Sequence, residues 1–227
     1  RYHDVFVKAT VLNGTEGLSE GGPQRQRDAM FTYARLPESL GDAPLKAKAK
    51  KAVLGMADMA LRFAAGNSFG IAMDLTMPSM GWVGYLTKPG VGSRALPRAY
   101  YLTGERKYLA GTVQATQFAI GANPSNIALT TGLGPNPIRY PLFIDGSTAG
   151  FGAPAGITVC GITDPAMGYD FDAWAHTWKL RKMVPGSRTW PAAESYWDIQ
   201  CVPSTNEYQP HYLAASAYYW GFLAARK

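Results

Sequence analysis

Three acidic residues lie in segments without a helical hydrophobic repeat, and their carboxylates are the groups best suited to chemistry. Glu207 lies at the predicted junction between a loop and the last helix. Asp198 lies shortly before it, and Asp145 lies in a glycine-rich stretch. A pair of carboxylates can act as general acid and general base on a bound substrate. Each residue also has a structural explanation, because Thr-Asn-Glu is typical of a helix cap and Asp is common in turns.

Aromatic residues accompany these carboxylates in the predicted loops. Trp82, Trp197 and Tyr208 could stack on the apolar face of a ligand ring or exclude water from a buried carboxyl group. Packing within the protein explains each of them as well. Aromatic residues of the last helix, such as Tyr219, are more typical of a core.

Several other chemistries are excluded by the pattern of the sequence. The cysteines and histidines show no zinc-site spacing, and no Gly-x-Ser-x-Gly elbow occurs. The glycines of segment 131–135 do not follow a strand and open a helix, so they do not indicate a nucleotide site. The net charge of +6 is dispersed except for the lysines of segment 46–51, which a solvated helix face explains. We therefore expect no nucleic-acid partner, and no membrane span, since no long uninterrupted apolar run occurs.

The elements that must position these residues are predicted to be helices joined by long loops. Asp42 as N-cap and Pro44 in the first turn begin the clearest helix, which Gly66 ends. Periodicity predicts further helices over 24–36, 93–102, 107–121, 170–182 and from Asn206–Glu207 to Ala224. Segment 122–168 reads as one long loop, with a small strand over 156–160. The sequence thus predicts one all-α domain over residues 1–227.

The order of four turn motifs resembles the second half of the catalytic domain of glycoside hydrolase family 9, the cellulase type. The stretch from about residue 60 to 227 carries them in the order and spacing of that family. They are Gly81-Trp82-Val-Gly84, Thr103-Gly104-Glu105 with Tyr108-Leu109, Gly121-Ala-Asn123-Pro124 with Thr131-Gly132-Leu-Gly134, and Asn206-Glu207. The resemblance implies half of an (α/α)6 toroid with its active site in the loops at one end.

The resemblance also implies a function. Glu207 matches the general acid of the family, in an inverting hydrolysis of β-linked glucan or related oligosaccharides that needs no cofactor. Trp82, Asp145, Trp197, Asp198 and Tyr208 are then the expected substrate-binding residues. The family further implies a secreted or periplasmic protein.

The two cysteines fit that location. Cys160 and Cys201 could form a disulfide in an oxidising compartment, although two buried thiols explain the even count nearly as well. The disulfide is the expectation that follows from a secreted protein.

Two departures from the family pattern limit what can be transferred. The Asp-Ala-Gly-Asp motif that carries the water-activating base is absent, so the base is expected from an N-terminal part of the enzyme or from a second chain that closes the toroid. The family's His-His-Arg segment is replaced by Tyr140–Asp145. Two alternatives stay open: a non-catalytic helical assembly or carbohydrate-binding protein, and a toroid lyase or epimerase that uses His211 or Tyr212 as base.

Overall fold

The computed structural model describes residues 2–10, 24–72, 94–163, 184–186, 189–191, 194–200 and 202–226. The helix predicted over 170–182, Trp82 and Cys201 lie outside these residues. Every regular element in the described ranges is a helix. The helices are α1 Tyr2–Ala9, α2 Gln24–Ala34, α3 Ala43–Ala65, α4 Ala95–Thr103, α5 Arg106–Ala119, α6 Ile144–Thr148, α7 Pro203–Asn206 and α8 Pro210–Ala224.

Helix α3 is the central element, and its termini follow the sequence signals. The Asp42 side chain accepts a hydrogen bond from the Leu45 amide at 2.8 Å, which satisfies a donor that the helix cannot. At the other end the Gly66 amide donates to the carbonyls of Arg62 and Phe63. The predicted start and stop of this helix are therefore confirmed.

An alanine-rich stripe packs α3 against its neighbours. The buried residues of α3 recur at three- and four-residue steps, and the helix contacts α2, α4 and α5. Small side chains allow these axes to approach closely, and Gly111 of α5 shows how closely. A Cβ atom there would come within 2.5 Å of Leu61 Cδ2. The stripe consists of Leu45, Ala49, Ala52, Val53, Met56, Ala57, Ala60 and Ala64.

The helical hairpin of α4 and α5 closes through a left-handed glycine. Gly104 has a φ of 72°, and its amide donates to the Tyr100 carbonyl at 2.7 Å. A left-handed glycine is a common way to end a helix where the chain must reverse direction within two residues. The turn predicted at Thr103-Gly104-Glu105 is confirmed.

The structure adds an N-terminal helix that the sequence pattern did not predict. Helix α1 lies against α2, where Phe6 stacks on Tyr33 with ring centroids 4.5 Å apart. The Tyr33 hydroxyl pairs with His3 Nε2 at 3.0 Å and accepts the Asp42 amide at 2.9 Å. This single tyrosine thus joins α1, α2 and the start of α3.

The region predicted as one long loop has an ordered structure and packs on an apolar cluster of its own. No strand forms over 156–160; an isolated antiparallel bridge between Thr130 and Thr158 lies there instead. The short helix α6, also not predicted, places Asp145 in a helical turn rather than an Asp-Gly turn. A second apolar cluster, distinct from the alanine-rich stripe of α3, forms the core of this region. Its buried members are Ile71, Phe118, Leu129, Ile138, Ile157, Val159, Ile162 and Tyr196.

Candidate active site

Glu207 lies between two helices and not at the start of one. It follows the single turn α7 and adopts extended backbone angles, with φ −65° and ψ 149°. Helix α8 begins at Pro210 with Gln209 as its N-cap residue, and no side chain caps it. The prediction that the last helix starts at Asn206–Glu207 is therefore wrong, and so is the interpretation of that stretch as its cap. Proline at the first helical position fixes the true start.

The backbone around Glu207 is held by hydrogen bonds from two distant segments. The Thr205 carbonyl accepts the Gly161 amide, the Asn206 carbonyl accepts the Leu142 amide, and the Glu207 carbonyl accepts the Cys160 amide, each at 2.8 Å. These carbonyls belong to the C-terminal end of α7 and have no partner within the helix. Three consecutive residues are thus fixed at the position of the candidate acid.

The buried side chain of Asn206 also fixes this stretch, by hydrogen bonds to the segment 196–199 and to Thr205. Its amide nitrogen donates to the carbonyls of Trp197 and Ile199 and lies 2.8 Å from the Thr205 hydroxyl. Its oxygen accepts the Tyr196 hydroxyl at 2.8 Å. Asn206 is fully buried, and its bonds to Tyr196, Trp197 and Thr205 lie away from water.

The Tyr196 hydroxyl is kept protonated by its surroundings. Burial raises the pKa of Tyr196 above its ordinary value, and the nearby charge of Asp198 raises the pKa further. The phenol therefore remains a hydrogen-bond donor to Asn206 at neutral and moderately alkaline pH.

Asp198 is partly buried and accepts two backbone amides. Its Oδ2 accepts the Arg139 amide at 2.7 Å, and its Oδ1 accepts the Tyr140 amide at 3.0 Å. Charge-assisted bonds of this kind are stronger than neutral ones. Asp198 thus ties the loop before α6 to the segment that leads to Glu207.

Threonine and asparagine side chains give the loops their shape. Asn123 is buried and donates to the carbonyls of Phe118 and Ile127, both at 2.8 Å, which closes the turn after α5. Thr131 donates to the Pro154 carbonyl at 2.6 Å and accepts the Ile157 amide. The motifs at Asn123-Pro124 and Thr131-Gly132 therefore shape the loop, as their turn chemistry indicates.

The remaining sequence-predicted site residues differ in exposure. Trp197 is only 7% exposed and packs edge-on against Trp190 with ring centroids 6.0 Å apart, which gives it little surface for a ligand. Tyr208 is partly buried against the second apolar cluster, and Asp145 is exposed on α6. Cys160 is buried. Because Cys201 lies outside the described residues, the disulfide stays a prediction.

The described residues bring Glu207, Asp198, Trp197 and Tyr208 into one region of the fold. Within them, no group of three His, Cys, Asp or Glu side chains could hold a metal ion. No helix in these ranges combines the length and the apolar character that crossing a membrane requires.

Sequence reasoning missed the supporting residues of this region. The sequence indicates Asn206 as part of an Asn-Glu motif or of a helix cap, and it predicts no role for Tyr196. A signal was present, since a Tyr-Trp-Asp run shortly before Asn-Glu combines a hydroxyl donor, a carboxylate and an amide within one short segment.

Comparison with known proteins identifies the class of this fold. A metagenome-derived glycoside hydrolase family 9 endoglucanase matches with a TM-score of 0.76 and 19% identity, over 99% of this chain and 37% of its own. A thermostable endoglucanase from Alicyclobacillus acidocaldarius matches with a TM-score of 0.69 and 22% identity, over 87% of this chain and 35% of its own. AaCel9A, solved in complex with cellobiose-like isofagomine, matches with a TM-score of 0.66 and 22% identity, over 87% and 35%.

The fold is part of an (α/α)6 toroid, as predicted. More particularly, it is the fold of the glycoside hydrolase family 9 endoglucanases. No protein-family model matches the chain, and no curated protein matches it with significance. The chain spans 37% of the length of the first of these solved enzymes.

Proposed function

We propose that this chain carries the general acid of an inverting glycoside hydrolase that cleaves β-linked glucan or related oligosaccharides. Glu207 is that acid. The observation that carries the proposal is the anchoring of residues 205–207, whose three carbonyls are held by amides from two loops. The family 9 endoglucanase fold supports the class of reaction.

Catalysis requires this kind of placement. A proton donor contributes only when it is held within hydrogen-bond reach of the leaving oxygen, and a small displacement costs a large factor in rate. Glu207 is partly buried, and Tyr208 beside it packs on the second apolar cluster. The side chain thus extends from a fixed backbone beside an apolar surface.

The water-activating carboxylate is proposed to come from another part of the catalytic domain. An inverting reaction needs a second carboxylate about 6.5–9.5 Å from the first, on the opposite face of the sugar. Asp198 is a poor base because two backbone amides already occupy its oxygens. Since the chain spans 37% of a matching endoglucanase, we propose that the N-terminal half of the domain, or a second chain, supplies the base and closes the toroid.

The expected substrate contacts are refined accordingly. Tyr208 and Asp145 remain proposed sugar-binding residues, and Trp82 is proposed from the resemblance alone. Asp198 and Trp197 are proposed to position the segment before Glu207. AaCel9A was solved with a cellobiose-like ligand, which supports a β-linked oligosaccharide as substrate. We propose a secreted or periplasmic location on the same likeness.

Two substrates test the role of Glu207 in the completed catalytic domain. Glu207→Gln should lower kcat on cellotetraose by about 10²–10⁴, the contribution of a positioned acid. It should lower kcat much less on 2,4-dinitrophenyl β-cellobioside, whose weakly basic leaving group departs without a proton. Proton NMR of the first product should show the α-anomer.

The matched control is Glu194→Gln, which changes an exposed glutamate. It should leave both rates unchanged. An equal loss on both substrates would mean that Glu207 holds structure and does not donate a proton. The chain without the rest of the domain should bind cellotetraose without cleaving it. If the completed domain also only binds, the carbohydrate-binding alternative is correct.

A further inference from the structure

A cavity lies between α2, α4 and α8, apart from the Glu207 region. Its volume is about 330 Å³, within the range of about 300–1,000 Å³ typical of small-ligand sites. Tyr218 of α8 lines it, and a rise of 1.5 Å per residue places Tyr218 about 12 Å along the helix from Pro210. The cavity is therefore remote from the candidate acid.

An arginine forms one wall of this cavity. The Arg98 side chain is 11% exposed, and its guanidinium lies 5.1 Å from the Phe31 ring centroid and 5.6 Å from that of Tyr218. One terminal nitrogen pairs with Asp28, and the other donates to the Arg27 carbonyl at 3.4 Å. The Nε atom is buried and has no acceptor in the described part of the chain. The guanidinium is thus largely desolvated and keeps one N–H without an acceptor.

Arg35 adds a second positive charge to the lining of the cavity. Its guanidinium lies 5.1 Å from the centroid of the Phe31 ring, the same ring that Arg98 contacts. The lining residues therefore include two guanidinium groups and one carboxylate, that of Asp28. Partly buried arginines favour an oxyanion that can accept several N–H bonds.

The rest of the lining is suited to a hydroxylated ring. Tyr101 is 63% exposed, and Phe222 completes the aromatic surface. Thr32 supplies an exposed hydroxyl beside them. A simple anion would use the arginines only, and a neutral sugar would use the rings and hydroxyls only.

We propose that this cavity binds a hexuronate unit of an acidic oligosaccharide. The sugar carboxylate is held by Arg35 and Arg98, the C–H face of the ring lies on Tyr101, and Thr32 binds a ring hydroxyl. The site is separate from the proposed acid and makes acidic polysaccharide a ligand of α2, α4 and α8, whatever bond the protein cleaves.

The test compares two disaccharides that differ by one carboxylate. Isothermal titration calorimetry with cellobiouronic acid should show binding at least about tenfold tighter than with cellobiose, the value of one charge-assisted hydrogen bond. Arg35→Gln and Tyr101→Ala change exposed side chains and should keep the fold. Each should weaken cellobiouronic acid binding about tenfold. Arg62→Gln, an exposed arginine on α3, should leave it unchanged.

Competition separates the sources of affinity. Excess cellobiose and excess sodium sulfate should each fail to displace cellobiouronic acid. Displacement by cellobiose would place the ligand in a neutral-sugar site, and displacement by sulfate would reduce the cavity to a plain anion site. Either result, absent binding, or an Arg35→Gln variant with unchanged affinity overturns the proposal.

Discussion

Replacement of Asn206 by alanine is the sharpest test of how Glu207 is held. The change removes an amide that is fully buried and bonded on both of its ends. It leaves the carboxylate of Glu207 and all the loop residues in place. Any effect on stability therefore reports the network beneath the candidate acid.

The expected cost follows from what each partner retains. The Trp197 carbonyl keeps the Ile199 amide, and the Ile199 carbonyl keeps the Val202 amide, so neither is orphaned. The Tyr196 hydroxyl keeps only a 3.5 Å contact with Asp198. The four bonds of the Asn206 side chain contribute about 1 kcal/mol each, and the poorly bonded Tyr196 hydroxyl adds about 1 kcal/mol, so we expect the free energy of unfolding to fall by about 5 kcal/mol.

Equilibrium urea unfolding of both proteins measures this loss, and an unchanged m-value shows that the same transition is compared. Hydrogen exchange adds a local readout, because the Leu142 and Cys160 amides bond to residues 206 and 207 and should exchange faster. Asn136→Ala is the control, since that exposed amide makes a single bond to the Asn126 carbonyl. A loss below about 1 kcal/mol for Asn206→Ala would refute the network as a support.

Three further predictions concern the same region. Burial raises the pKa of Tyr196 in the folded state, so the unfolded chain loses that proton first; the free energy of unfolding should fall as pH rises above about 10, and less steeply in Tyr196→Phe. A Cβ atom at Gly146 would lie 1.8 Å from the Phe143 ring, so Gly146→Ala should lower the unfolding free energy by about 1–3 kcal/mol in urea titration. Non-reducing peptide mapping should find Cys160 linked to Cys201, a bond worth about 4 kcal/mol for a loop of this length.

Matched variants separate these effects from general damage. Tyr140→Phe changes a 58% exposed tyrosine and should leave the alkaline slope unchanged. Gly152→Ala should be nearly neutral, because a Cβ atom there meets nothing within 4 Å. Recovery of both cysteines as thiols, or equal effects of a variant and its control, would contradict the corresponding prediction.

The helical hairpins were predictable because their signals are local. The cap at Asp42, the alanine stripe of α3 and the turn at Gly104 each depend on residues a few positions apart. Periodicity and cap chemistry act on that scale. The fold class followed from these elements and from the order of the turn motifs.

The support of Glu207 could not be predicted because its partners are distant in the chain. Asp198 accepts amides from residues 59 and 58 positions away, and no local pattern indicates which backbone a carboxylate will hold. The start of α8 was misplaced for a related reason. Thr-Asn-Glu has the composition of a cap, but tertiary contacts bury Asn206, and Pro210 begins the helix.

The distant bonds of Asp198 have a consequence for how the protein folds. Contacts between residues 59 positions apart form only after the entropy of closing a long loop has been lost. The turn between α4 and α5 depends on residues only a few positions apart, so this hairpin can form before that closure. We therefore expect the segment bearing Glu207 to take its final shape after this hairpin has formed. A helical far-ultraviolet signal would thus appear during refolding before the chain reaches its functional form.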